Sequence, residues 1–199
     1  MTAMRQLAIG AILILAALPA AVAQTQDNGT PLSVEGKLRF HVLSVVGPTG
    51  AVKTAAYAGV VHAIGIPREW RLGAAGYGMR AASAFGDTGI RHMLAFGLDS
   101  ALRTDPRYFP ARSHNVFARL GHALAATVVT RTDTGHTTVG VARIASAVGA
   151  AALSNEWYPA RYHTVREGFA QGGIILGFDA GGNLLSEFWP DVKKLFRHR

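Results

Sequence analysis

The chain of 199 residues contains no cysteine, and only 16% of its residues are charged. The missing thiols exclude disulfide bonds, thiolate metal sites and attachment of a lipid to cysteine. The longest uncharged runs beyond residue 23 (40–52, 54–67, 144–155 and 168–178) are shorter than the ~18 to 20 residues that a membrane-spanning helix needs. No segment alternates with period two for long enough to predict a sheet. We therefore expect a helical protein that is stabilised by packing.

Motifs of the common catalytic chemistries are absent as well. No serine lies in a Gly-x-Ser-x-Gly elbow, and the glycine-rich segment 73–78 lacks the Gly-Lys-Ser/Thr of a phosphate loop. Eight histidines are present, but no two are three to five residues apart, so only the fold could assemble a histidine metal site. No aromatic-basic stripe suited to single-stranded nucleic acid is visible. We expect no metal, no cofactor and no nucleic-acid partner.

The first residues have the character of a secretory signal peptide. Arg5 supplies a positive start, residues 7–18 are apolar, and Ala21-Val22-Ala23 provides small residues for cleavage before Gln24. This pattern predicts a signal peptide over 1–23, a disordered leader over 24–32, and a single helical domain over 33–199 that ends in a short basic tail. The protein would then be exported to the periplasm or the outer envelope.

Two central segments show clear helical periodicity. For 88–103 we predict an N-cap at Asp87, a core face of Ile90, Leu94, Leu98 and Leu102, and a solvated stripe of Arg91, Ala95, Asp99 and Arg103. For 112–130 we predict a core face of Val116, Leu120, Leu124 and Val128, with the outward side formed by Asn115, Arg119, His122 and Ala126.

The remaining segments complete a helical architecture. An apolar stretch over 40–65 is broken at Gly47-Pro48, weaker helices are expected over 72–85 and 138–154, and the last helix, roughly 162–188, should be central. Corners with prolines and aromatics interrupt the chain at 67–70, 104–110, 156–159 and 187–190. We predict an all-α fold, a compact bundle of about six to eight helices.

The last helix also carries a glycine at every fourth position, at Gly173, Gly177 and Gly181. Residues four apart lie on one side of a helix, and small residues there let another backbone approach closely. We therefore predict that these glycines form a tight helix crossing.

Four landmark motifs occur in order: Asp105-Pro106-Arg107-Tyr108-Phe109, Val129-x-Arg131-x-Asp133-x-Gly135, Asn155-x-Trp157-Tyr158-Pro159 and Glu187-Phe188-Trp189-Pro190-Asp191. With these motifs the chain resembles a family of small exported bacterial proteins whose function is uncharacterised. The resemblance covers about residues 69–194. It implies export and a shared helical domain, and it supplies no reaction, ligand or catalytic residue.

Asp179 is the candidate functional residue that the chemistry favours most. It follows the apolar segment 174–178, and an ionised carboxylate among apolar neighbours is costly unless it is paired. One interpretation is a structural ion pair with Arg131, Arg143 or Arg161. The other is a polar pocket around a small ligand, formed by the candidate cluster Arg131, Asp133, Asn155 and Asp179.

The charge balance favours anionic partners. The net charge is +8, or +7 after removal of residues 1–23, which carry only Arg5. The densest basic run is 193–199, which also contains Leu195 and Phe196. An anionic membrane surface or an envelope polymer is therefore the expected partner. We predict a non-enzymatic protein of the cell envelope. The alternatives are an exported enzyme with a pocket around Asp179 and a basic module that binds an anionic polymer.

Overall fold

A computed structural model describes residues 30–197, so the predicted signal peptide and most of the predicted leader lie outside the described part of the chain. Within that part, the chain forms six α-helices. Their bounds are α1 Val34–Val46, α2 Pro48–Ala63, α3 Ala74–Ala101, α4 Val116–Ala125, α5 Val141–Ser154 and α6 Val165–Arg197. Single 3-10 turns cover Arg68–Trp70, Asn155–Trp157 and Ala160–Tyr162. The predicted helical bundle is confirmed.

A small antiparallel sheet accompanies the helices and was not predicted. Its strands are β1 Thr104–Asp105, β2 Val129–Thr132 and β3 Thr137–Val139, in the order β1-β2-β3. Strands of two to four residues are too short to show an alternating pattern. The turn between β2 and β3 contains Gly135 at φ 88°, a conformation that favours glycine.

Several predicted helix boundaries differ from the structure. The break at Gly47-Pro48 is confirmed, since α1 ends at Val46 and Pro48 begins α2. The segments 72–85 and 88–103 form one continuous helix, α3, so the predicted N-cap at Asp87 is wrong. The corner predicted at 187–190 is wrong too, because α6 continues through Pro190.

Helix α3 is the element around which the others pack. It contacts α1, α2, α5 and strand β1, whereas α6 packs mainly against α5 and α4. The expectation that the last helix is central was therefore wrong. No helix in the part described is both long enough and apolar enough to cross a membrane.

The tight crossing of α6 uses a different set of glycines from the predicted one. A Cβ placed on Gly172 would lie 3.1 Å from Val148 on α5, and one on Gly168 would lie 3.7 Å from Ala152. Within the described part of the chain, a Cβ on Gly173, Gly177 or Gly181 would meet no neighbouring atom within 4 Å. Glycines four residues apart do form the crossing, but they lie on a different side of α6 from the predicted ones.

The predicted face is wrong on α4 and wrong in part on α3. On α4, all four residues of the expected core face are exposed, namely Val116, Leu120, Leu124 and the following Val128. On α3, Ala95 and Asp99 of the expected solvated stripe are buried, while most of the expected core face is half-buried. Asp99 is buried and Arg119 of α4 is largely buried because each finds charged or hydrogen-bonding partners inside.

Candidate functional site

A stripe of polar side chains along the buried side of α3 is the main candidate site. We call it the polar stripe and define it by Arg80, Ser83, Asp87, Arg91, His92 and Asp99. Arg80, Ser83, Asp87 and Arg91 are three or four residues apart and therefore share one side of the helix. His92 and Asp99, seven residues apart, lie on the adjoining side. The members contact α1, α2, α5, α6 and the turn Asn155–Trp157, so the stripe ties α3 to most of the elements around it.

At the C-terminal end of the polar stripe, Asp99 meets Lys37 from α1. The Lys37 ammonium donates to the backbone carbonyl of Asp99 at 3.1 Å and to Asp133 Oδ2 at 2.8 Å. Thr104 donates to Asp99 Oδ1 at 2.6 Å. Lys37 and Asp99 are both almost fully buried, and a buried lysine needs such partners. These contacts fix the sheet and α1 against α3.

Two histidines that are 51 residues apart in the chain meet at the interface of α1 and α3. The Nδ1 atoms of His41 and His92 are 3.0 Å apart, so one ring donates and the other accepts. His41 Nε2 also lies 3.3 Å from Asp99 Oδ2. Burial lowers the pKa of His92 to about 3, and the charges of Arg91, His41 and Lys53 act in the same direction. His92 is therefore neutral at physiological pH.

Asp179 lies beside Arg91, at the middle of the polar stripe. The two Arg91 Nη atoms contact the two carboxylate oxygens of Asp179, one of them at 3.1 Å. Both side chains are partly buried, at 20% and 29% exposure. Desolvation and the nearby charge of Arg91 lower the pKa of Lys53, and the Asp179 carboxylate opposes this. The Asp179 carboxylate thus offsets the positive charges of Arg91 and Lys53. The arginine that binds it is Arg91, which is none of the three arginines proposed from the sequence.

Asp87 has the most perturbed carboxyl group of the polar stripe. It contacts Ser154 Oγ at 2.5 Å and the Tyr158 hydroxyl at 3.2 Å. Burial raises the pKa of Asp87 to about 6, although the hydrogen bonds from Ser154 and Tyr158 act against the rise. Burial and the charge of Asp87 in turn raise the pKa of Tyr57 to about 12. The Asp87 carboxyl group therefore titrates close to neutral pH.

A second buried network surrounds Glu187 on α6. Glu187 accepts from the Tyr108 hydroxyl at 2.6 Å, from the backbone N–H of Ala111 at 2.9 Å and from Arg119 Nε at 2.8 Å. Arg119 also donates to Asp191 at 2.6 Å. Burial opposes ionisation of Glu187, but these hydrogen bonds outweigh it and lower its pKa. The network joins α4, α6 and the Pro106–Pro110 corner.

The four residues predicted as one polar cluster have separate partners. The Arg131 guanidinium lies over the Phe109 ring at 4.7 Å. Asp133 binds Lys37, and Asp179 binds Arg91. Asn155 is buried, and its Nδ2 lies 3.5 Å from the carbonyl of Thr164, while its Oδ1 has no hydrogen-bond partner among the residues that the structure describes. Each residue joins two elements of the fold.

The landmark motifs have the same bridging role. Tyr108 of the first motif binds Glu187 of the fourth, and Arg131 of the second stacks on Phe109 of the first. In the third motif, the Trp157 Nε1 donates to Ser83 and Tyr158 contacts Asp87. A sequence signal for part of the polar stripe existed: Arg80, Ser83, Asp87 and Arg91 recur every three or four residues.

The observed contacts of these groups are ion pairs and hydrogen bonds that join elements of the fold. Ser154 faces a carboxyl group and no histidine base, so the arrangement lacks the parts of an activated serine nucleophile. Within residues 30–197, no group of three or more His, Asp or Glu is placed to hold a metal ion. A cleft beside Asn155, lined also by His163, Thr164 and Phe169, measures about 240 Å³. That is smaller than the ~300 to 1,000 Å³ typical of ligand pockets. A second and more open cleft beside Ser83, lined also by Trp70, Ile90 and Trp157, measures about 640 Å³, which lies within this range.

Comparisons with known proteins add no relative. No family model matches this chain, and neither the curated proteins nor the solved structures yield a match.

Proposed function

We propose that this protein is a non-enzymatic component of the bacterial cell envelope, exported from the cytoplasm and held at a membrane through its apolar outer surface. The observation that carries the proposal is the inverted distribution of side chains. Charged groups such as Lys37, Arg80 and Glu187 are buried, while large apolar side chains lie outside.

The inversion is clearest on α1 and α6. Helix α1 buries Lys37 and His41 and exposes Val34, Leu38, Val42 and Val46 at four-residue intervals. Helix α6 buries Glu187 and exposes Val165, Phe169, Ile174, Phe178 and Leu185. Extended apolar surface is unfavourable in water and marks contact with lipid or protein. Paired polar groups that face inward are the arrangement expected where a protein adjoins lipid.

The export part of the proposal rests on residues 1–23, whose positive start, apolar core and Ala-x-Ala end have the order of a secretory signal. The non-enzymatic part rests on the use of the polar side chains. Asp179, the best catalytic candidate, has both carboxylate oxygens bound by Arg91. This pairing favours a structural role for the carboxylate.

Fractionation of cells that express the full chain tests the proposal. We expect an N-terminus at Gln24 and a protein that stays with the membrane in high salt, because apolar contact is not screened by ions. Detergent should release it. An uncleaved chain would refute export. Recovery as a monomer in the soluble fraction, without detergent, would refute membrane association. Recovery there as an oligomer would assign the apolar surface to self-association instead.

A further inference from the structure

Helix α4 turns a continuous apolar stripe outward. Phe117 is 83% exposed, and Val116, Leu120 and Leu124 are also exposed on the outside of the same helix. Ten residues make α4 about 15 Å long. We call these four side chains the α4 face.

The inward side of α4 is held by polar bonds, so the helix cannot rotate to bury the α4 face. Arg119 binds Glu187 and Asp191 of α6. His122 Nε2 lies 2.9 Å from the carbonyl of Phe109, and Asn183 Nδ2 donates to the carbonyl of Ala123 at 3.3 Å. Rotation would break these contacts and leave the carboxylate of Glu187 buried without its arginine, which is costly.

One end of the α4 face adjoins basic side chains. Helices α4 and α6 run antiparallel, because Asn183 lies beside Ala123 whereas Asp191 lies beside Arg119. The exposed Lys193 and Lys194 of α6 therefore lie towards the N-terminal end of α4. The exposed Arg112 precedes that end in the chain.

We propose that the α4 face docks on an anionic phospholipid bilayer, with Phe117 among the acyl chains and Lys193, Lys194 and Arg112 at the lipid phosphates. This rests on the proposed membrane association and names its contact face and lipid class. Amphipathic helices with an apolar face and basic flanks lie in this way in the membrane interface. A second copy of the chain fits less well, because four side chains on one short helix supply far less than the ~800 Å² per partner of a stable dimer.

Vesicle flotation of the full chain tests the docking face. The probes are vesicles of phosphatidylcholine alone and of phosphatidylcholine with phosphatidylglycerol. The variants are Phe117→Ser/Leu124→Ser, Lys193→Gln/Lys194→Gln, and Met93→Ser as control, since Met93 is a comparably exposed apolar residue on α3. Circular dichroism checks that each variant is folded.

We expect the wild type to prefer the anionic vesicles. The Phe117→Ser/Leu124→Ser variant should lose roughly tenfold or more in partitioning to both vesicle types, because two large apolar groups no longer enter the bilayer. The lysine variant should lose about fivefold per lysine on anionic vesicles only. The Met93→Ser variant should partition like the wild type.

A second measurement keeps the test valid if the serine variant does not fold. The chain has no cysteine, so Phe117→Cys and Met93→Cys each create a unique labelling site for an environment-sensitive fluorophore. Anionic vesicles should shift the emission to the blue at position 117 and leave it unchanged at position 93.

The outcomes separate the two proposals. The α4 face is not the docking face if the Phe117→Ser/Leu124→Ser variant still binds vesicles like the wild type, or if the emission shifts to the blue at position 93 alone. Either result leaves the proposed membrane association standing. Equal binding of the wild type to both vesicle types overturns the anionic preference. A wild type that binds neither overturns both proposals, and an oligomer that the serine variant loses would then assign the α4 face to self-association.

Discussion

Replacing Asp87 by asparagine should stabilise the protein above neutral pH and have little effect in acid. The carboxyl group is buried between α3 and α5, and burial raises its pKa from 3.8 to about 6. A group whose pKa rises on folding binds its proton more tightly in the folded state. Its stabilising effect is therefore complete below pH 3.8 and is lost as the pH rises through 6.

The hydrogen bonds around Asp87 limit this rise in pKa. Ser154 Oγ donates to Asp87 Oδ1 at 2.5 Å and the Tyr158 hydroxyl donates to Oδ2 at 3.2 Å, and both bonds stabilise the ionised carboxylate. The pKa still lies above its ordinary value because the cost of burying the charge is larger.

The size of the expected stabilisation follows from the shift in the pKa of Asp87. A rise of about two units corresponds to about 3 kcal/mol between the two protonation states, an upper bound for the gain at pH 8. At ~2 to 4 °C per kcal/mol for a chain of this size, the melting temperature of Asp87→Asn should rise by at most roughly 6 to 12 °C at pH 8. The gain should fall towards zero by pH 4.

Thermal unfolding of the wild type and Asp87→Asn between pH 4 and pH 8 measures the effect. Glu156→Gln is the matched control, because it removes an exposed carboxylate close to Tyr158 in the chain. The reasoning fails if Asp87→Asn melts below the wild type at pH 8, or if the two melting curves keep the same separation at every pH.

Two further predictions concern the helix crossing and the Glu187 network. Gly172→Leu should destabilise the protein by about 1 to 3 kcal/mol through overpacking against Val148, whereas Gly177→Leu should have little effect, since no atom lies within 4 Å of its Cβ position. Equal melting temperatures of the two variants would contradict the crossing. Glu187→Gln should cost at most about 3 to 5 kcal/mol at pH 7, because Arg119 loses its buried counter-charge and keeps the more exposed Asp191. Because folding lowers the pKa of Glu187, its contribution is present above pH 4.5 and is lost on further acidification. A difference in stability that persists unchanged at pH 3 would contradict this assignment.

The sequence predicted which residues share a side of each helix, but not which side faces inward. In α3 and α4 the spacing of apolar residues was correct, and the helical bundle followed from it. The assumption that the apolar side is the buried one failed on α4 and in part on α3, because Arg119 and Asp99 have charged or polar partners far away in the chain. Periodicity contains no information about such partners.

The candidate site could be predicted only in part, because its partners are also far apart in the chain. An acid in an apolar segment requires a partner, which drew attention to Asp179 correctly. The partner was missed because Arg91 had been assigned to a solvated stripe. The His41–His92 contact joins residues 51 positions apart, and only the packing of α1 on α3 brings them together.

Substitution of Asp179 distinguishes a structural carboxylate from a functional one. Asp179→Asn leaves Arg91 and Lys53 close together without their shared counter-charge, so the protein should lose stability. Because both partners of the pair are partly exposed, we expect a loss of about 1 to 3 kcal/mol, below that of a fully buried pair.

The loss should be larger at low ionic strength, where the two cations repel each other more strongly. Adding Arg91→Gln should restore part of the stability, because it removes the cation left without a partner, and a double-mutant cycle measures this coupling. A functional carboxylate would give the opposite result, since residues held for a reaction or a ligand often cost stability. An Asp179→Asn variant that melts at or above the wild-type temperature, with no coupling to Arg91, would therefore exclude the structural role and favour a ligand-binding or catalytic role for Asp179.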